Sequence, residues 1–228
     1  DGVVSPGVIP DSQRGNTELQ WETSEQFNIG LDFSLLNNRF FVSADYYNKK
    51  TRNMIFPLNL PVSSGFSTQI VNLDGYIENK GFELAVNAYL IDKADFSWNS
   101  SFNISFNDNV VKDIPGNASI LTTFLQNLGG NLNITKNGLP LASFWGYNSE
   151  GVDPQTGDLI FTDINGDGSI TPEDKQVIGN PMPDFTYGFI NEFSYKNWDL
   201  NVVIDGVSGN EIYNTGKQNL QAMRFFEN

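Results

Sequence analysis

Between Asp163 and Asp174 the chain spaces oxygen-bearing side chains as a hard divalent cation requires. Asp163, Asn165 and Asp167 stand at alternate positions, and Gly168 follows where the loop must turn sharply. Ser169 is placed to offer its backbone carbonyl, Thr171 to act through a bridging water, and Asp174 to close a twelve-residue count. Alternate residues of a tight loop can all point inward and supply the roughly six to eight oxygens that Ca2+ takes. The spacing predicts an EF-hand-like calcium loop, closed by Asp in place of the longer Glu. Thr171-Pro172-Glu173-Asp174 also reads as a helix start, with Thr as N-cap and Pro in the first turn. A metal-free Asp/Asn/Gly turn uses the same residue types. A strand-like Gly157–Thr162 before the loop argues against a helix–loop–helix pair, and there is no second copy. Upstream, Trp145 and Tyr147 are the aromatics that could stack on a sugar; packing within their own loop is the plainer alternative.

Composition removes other chemistries. The 228 residues include no cysteine and no histidine, so Ser-His-Asp and Cys-His nucleophiles are absent, as is the usual zinc ligand set. Carboxylates are plentiful, but no motif pairs two of them for glycoside hydrolysis, and the expectation is a non-enzyme. A net charge of −14 argues against a nucleic-acid partner. Half of it falls between Asp108 and Asp184, where ten acids face Lys112, Lys136 and Lys175. Lack of disulfides fits a reducing compartment or a bacterial envelope protein. No long apolar helix is visible, and the ends at Asp1 and Asn228 look like those of a piece of something longer.

The elements that must carry the loop follow a period of two. Phe27, Ile29, Leu31, Phe33 and Leu35 alternate with Asn28, Gly30, Asp32 and Ser34, a strand with one apolar and one polar face. The same pattern predicts strands at about 24–36, 40–52, 79–91, 96–107, 185–195 and 198–206. Between them, Asn53 to Glu78 reads as a Pro-bearing irregular stretch. Residues 108–184 read as one long external loop, with a short amphipathic helix suggested by Leu121, Phe124, Leu125 and Leu128. Gln218 to Glu227 suits a helix fragment or the approach to a further strand.

The connections alternate. Tight turns at Asn37-Asn38, Asp92 to Asp95 and Lys196-Asn197 exchange with long excursions at 50–80, 108–184 and beyond 205, so short turns share one end of the sheet. Outer-membrane barrels have this asymmetry. The fold class expected is all-β, an antiparallel up-and-down meander forming part of a large outer-membrane β-barrel. Trp21, Tyr46, Tyr47, Tyr195 and Trp198 lie near expected strand ends, as girdle aromatics do. Six strands are too few to close such a barrel. The alternative is a soluble calcium-stabilised β-domain for carbohydrate binding or adhesion, its apolar faces buried in an ordinary core.

Three segments in order resemble the SusC/RagA-like TonB-dependent outer-membrane transporters. They are Leu19-Gln-Trp-Glu-Thr through Asp45-Tyr-Tyr-Asn-Lys-Lys-Thr, then Asn79-Lys-Gly-Phe-Glu-Leu. The third joins Ser143-Phe-Trp-Gly-Tyr, the calcium-type loop, Ile178-Gly-Asn-Pro-Met-Pro and Phe185-Thr-Tyr-Gly-Phe. The resemblance covers about residues 16–216 and implies import of a glycan or peptide through a 22-stranded barrel. It also implies a SusD-like surface lipoprotein and the TonB complex as partners, and outer-membrane lipid around the wall. The plug, the TonB-contacting segment and the closing strand of that pattern are not found in these residues.

Overall fold

A computed structural model describes residues 13–125 and 130–217. Six long strands form one antiparallel meander: β2 (Thr23–Leu35), β3 (Phe40–Asn59), β4 (Thr68–Lys93), β5 (Phe96–Lys112), β12 (Phe185–Tyr195) and β13 (Trp198–Ser208). A two-residue strand, β1 (Gln13–Arg14), runs parallel to the start of β4. Leu36, Asn37 and Asn38 take positive φ in the first turn and Lys196 in the last, so these hairpins close in very few residues. Lys196 N–H donates to the carbonyl of Asp95 at 3.1 Å, which seats two tight turns side by side.

Register makes the two faces continuous. Ile29, Tyr46, Phe82, Phe106 and Phe185 form one cross-strand row, and Phe33, Val42, Val86, Phe102, Phe189 and Ile204 form another. No second sheet covers this face among the described residues: Leu31 is 61% exposed, Leu200 58% and Phe106 40%. One amide interrupts it. Asn191 is buried, and its Oδ1 accepts from the Trp98 indole N–H at 3.0 Å, so the polar group is satisfied where water is scarce. The opposite face is a polar ladder in which Ser105 donates to Glu83 at 3.2 Å, Ser101 to Asn87 at 2.6 Å and Asn99 to Glu192 at 3.0 Å.

Two expectations fail. Residues 53–78 are not irregular: β3 and β4 continue as a hairpin to Asn59 and Thr68. A register shift between Arg52 and Met54, with Asn53 at φ 55°, displaces the alternation that marks the first half of β3. Pro57 is tolerated because β2 ends opposite Arg52, leaving this part of β3 an edge. The segment around Leu121, Phe124 and Leu125 is not a helix but β6 (Ile120–Leu125). It pairs with β7 (Gly130–Thr135), and long-range pairing overrides an i, i+3, i+4 coincidence. Leu128, and the expected element at 218–227, lie outside the described residues.

The long connection is therefore a folded unit. β6, β7, β8 (Ser143–Gly146) and β11 (Gln176–Gly179) make a four-stranded sheet in the order β11-β8-β7-β6. β9 (Ser149–Val152) and β10 (Leu159–Phe161) form a separate hairpin. A small core of Met54, Ile77, Val111 and Ile114 seats the unit on the extended hairpin, with Leu73 and Leu141 against it. Val111 N–H bonds the carbonyl of Leu139 at 2.9 Å, using the edge of β5 that β12 leaves free.

Candidate functional site: the acidic loop and the aromatic pocket of the folded connection

The acidic loop follows β10 and is tied by its own carboxylates. One oxygen of Asp163 accepts from Gly166 N–H at 2.7 Å and the other from Gly168 N–H at 2.8 Å. Gly166 and Gly168 have φ of 71° and 81°, which a side chain would oppose. Asn165 Nδ2 donates to Asp167 at 3.0 Å, and Asp167 accepts from Ser169 N–H at 2.8 Å. Asp174 is fully buried: it accepts from Ile164 N–H at 2.9 Å and from Thr171 N–H at 2.7 Å. Thr171 in turn caps the 3-10 turn Pro172–Asp174 through a capping box, as its sequence predicts. The backbone N–H of Thr171, then those of Ile164 and Asn165, hold the Asp174 carboxyl below its usual range, against the opposing effect of burial.

The donor set is entirely oxygen, which suits Ca2+. Asp163, Asp167, Glu173 and Asp174 crowd one loop, and among the described residues none has a cationic partner, since the ion pairs gather on Glu78. Each Asp163 oxygen retains a lone pair beyond its N–H contact. Among the described residues no group of three or more acidic side chains converges as a metal cage. The loop thus offers oxygen donors and unbalanced charge, in a conformation held by backbone N–H groups and not converged on a cation.

Trp145 and Tyr147 are brought together. Both line a pocket of about 210 Å³ with Leu132, Phe161, Lys175 and Tyr213. Trp145 is fixed by β8, where it pairs with Val177 of β11. Tyr147 lies 5.7 Å from the Phe161 ring, and Lys175 Nζ sits 5.2 Å over Tyr147. Burial raises the Tyr213 phenol above its ordinary value. Sequence reasoning missed Phe161, Lys175 and Tyr213, and Tyr213 had no local signal. It arrives after β13, where Glu211 N–H bonds the carbonyl of Asn180 at 2.8 Å and the Glu211 carboxylate accepts from Asn180 N–H.

The girdle residues divide. Tyr195 and Trp198 flank the last turn and are exposed, as is Trp21 before β2. Tyr46 stands within β3 but in the last aromatic row of the apolar face. Tyr47 is no girdle residue: it lies on the polar face and donates to Asn107 at 2.9 Å. Of the polar-face carboxylates, Glu83 and Glu192 accept as described, and Asp199 accepts from Ser194 at 2.6 Å.

The comparisons agree with this geometry. A family model described as TonB dependent receptor-like, beta-barrel, matches residues 3–219. TonB-dependent receptor P3 of Formosa agariphila is 38% identical over 94% of this chain and 23% of its own length. TonB-dependent receptor SusC of Bacteroides thetaiotaomicron is 30% identical over 93% of this chain and 22% of its own. A structure titled as the RagAB peptide transporter superposes with a TM-score of 0.73 at 26% identity, over 86% of this chain and 22% of that one. The chain spans less than a quarter of each of these relatives' length.

Proposed function

This chain belongs to the TonB dependent receptor-like β-barrel family of the bacterial outer membrane, and from that premise we propose that it supplies wall strands and outer mouth to an importer of large nutrients, a glycan or a peptide. The family is one of receptors, not enzymes. One observation carries the proposal: a single exposed apolar face, interrupted at the buried Asn191, runs across six paired strands, backed by a hydrogen-bonded polar ladder. Lipid suits the first face and a water-filled passage the second. A soluble calcium-stabilised module would have to cover the apolar face.

Other strands of the parent pair with the open edges of β2 and β13. A SusD-like lipoprotein caps the long-loop end, and the TonB complex supplies energy through parts of the parent. The resemblance to SusC and to a peptide transporter supports a glycan or peptide as cargo. In the folded connection, Asp163, Asn165, Asp167, Ser169, Thr171 and Asp174 hold Ca2+, which neutralises acids that otherwise repel one another and fixes the mouth. Trp145 and Tyr147 present the aromatic wall on which a sugar or side-chain ring stacks. The test is uptake: a strain deleted for the parent should lose growth on one polysaccharide or peptide mixture while growing normally on its monomers. Unchanged growth across a panel of both polymer classes overturns the import role.

A further inference from the structure

The folded connection stands over the passage side of the sheet. Ile77 and Val111, which seat it, share the side of Tyr47, Gly81 and Asn107 on the polar face. Asn109, on that side as well, accepts from the Leu141 N–H at 2.8 Å. Its aromatic pocket therefore lies within reach of whatever crosses the mouth. The pocket holds about 210 Å³, less than the roughly 300–1,000 Å³ of sites that enclose a drug-sized ligand. It has room for one residue of a polymer, whose chain must continue outward.

The lining is apolar with one charge. Leu132, Trp145, Tyr147, Phe161 and Ile178 supply the walls, and Lys175 is the charged residue among them. No carboxylate lines the pocket among the described residues, and Lys175 has no ion pair there, since the ion pairs all meet on Glu78. Asp174, its neighbour in sequence, turns instead to the N–H groups of Ile164 and Thr171. The Lys175 ammonium lies 5.2 Å over the Tyr147 ring and beside Gly130, where a Cβ would stand 3.3 Å from it. A half-buried ammonium that its own chain supplies with a ring but no carboxylate is a place for an anionic group. A pyranose fits poorly. Its several hydroxyls would meet ring edges and aliphatic carbons, and Asn131, the amide in the lining, already donates to the Thr122 carbonyl. One apolar side chain with one carboxylate beside it satisfies every wall.

We propose that the pocket captures the C-terminal residue of a peptide, its apolar side chain among Trp145, Tyr147 and Phe161 and its α-carboxylate on Lys175. Side chain and α-carboxylate leave the same Cα, so one bound residue reaches both partners while the rest of the peptide runs out through the mouth. This assignment rests on the reading of Trp145 and Tyr147 as a stacking wall, and not on the calcium loop.

The purified full-length parent is titrated with a rhodamine-labelled hexapeptide of serine and glycine ending in phenylalanine, as free acid and as C-terminal amide, and read by fluorescence anisotropy. Wild type should bind the free acid on the order of tenfold more tightly than the amide, the worth of one charge-assisted hydrogen bond. K175Q should bring the acid down to the amide and leave the amide unchanged. Trp145→Ala should weaken both forms alike. Equal affinity for acid and amide in wild type, or a preference that survives in K175Q, overturns carboxylate capture. The stacking wall is judged separately: undiminished binding of both peptides by Trp145→Ala ends that reading and the capture with it. Neutral xylo- and manno-oligosaccharides bound by wild type and lost in Trp145→Ala, with neither peptide bound, keep the wall and overturn the peptide.

Discussion

At the scale of single residues, the loop's acids carry two separable tasks. Asp163 is half-buried and Asp167 exposed, and neither is paired with a cation among the described residues, so their removal should act on metal affinity. Asp163→Ala with Asp167→Ala is expected to abolish the calcium heat of the parent receptor in titration calorimetry; an undiminished heat means that the loop is only a turn. Asp174, the closing member of the proposed calcium set, also clasps the loop, its buried carboxylate taking N–H groups from both ends. Its folded pKa lies below the ordinary carboxylate value, so its contribution is complete above the usual carboxylate range. That contribution is lost as pH falls through the depressed value. Hydrogen-exchange protection at Ile164 and Thr171, corrected for intrinsic rates, should therefore fall in acid in wild type and be low and pH-independent in Asp174→Ala. Protection that ignores pH in wild type sinks the clasp.

At the scale of elements, alternation was legible wherever a strand has one wet and one apolar face. The register of all six long strands follows from it, because a one-residue slip would exchange the faces. It failed where that condition lapses. Past Arg52 the hairpin leaves the apolar band, Asn53 shifts the register, and Met54 and Ile77 turn into a local core, so periodicity no longer reports the strand. Leu121, Phe124 and Leu125 mislead in the opposite direction, since a six-residue strand is too short for its period to be told from a helix. The aromatic pocket was half legible. Trp145 and Tyr147 lie within one motif, whereas Lys175 and Tyr213 reach it through sheet pairing and the return of the chain after β13. Packing between β3 and β4 offers a test. Gly81 lies beneath the Tyr47 ring, and an added Cβ would come within 2.2 Å of it. Gly81→Ala should displace Tyr47 from Asn107 and cost about 1–3 kcal/mol in thermal or denaturant unfolding of the detergent-solubilised parent. In a Tyr47→Ala background that cost should largely vanish; equal costs in both backgrounds would place the strain elsewhere.

At the scale of the whole molecule, the question is which solvent each face meets. Ten residue steps along β5, from Phe96 to Phe106, at about 3.4 Å each and tilted by roughly 40°, give a height of about 26 Å, close to the ~25 Å apolar band of a membrane barrel. Trp198 and Tyr195 mark its lower edge, and the row of Asn48, Lys80 and Asp108 its upper one. Val86 lies near mid-height on the apolar face, paired with Val42 and Phe102. Asn103 lies at the same level on the polar face, opposite Gly188. An arginine at the bilayer midplane costs about 2–4 kcal/mol, while a lumen substitution is nearly free. Val86→Arg should thus lower the folded, membrane-inserted fraction of the parent sharply, and Asn103→Arg should leave it unchanged, as read by heat-modifiable mobility on gels of outer-membrane fractions. A soluble domain with a covered core would also reject Val86→Arg, so the deciding variant is Leu31→Arg. Leu31 is 61% exposed, and a water-facing leucine there would accept arginine at no cost, whereas a lipid-facing one cannot. Normal insertion of Leu31→Arg would mean that water, not lipid, meets the face that six strands share.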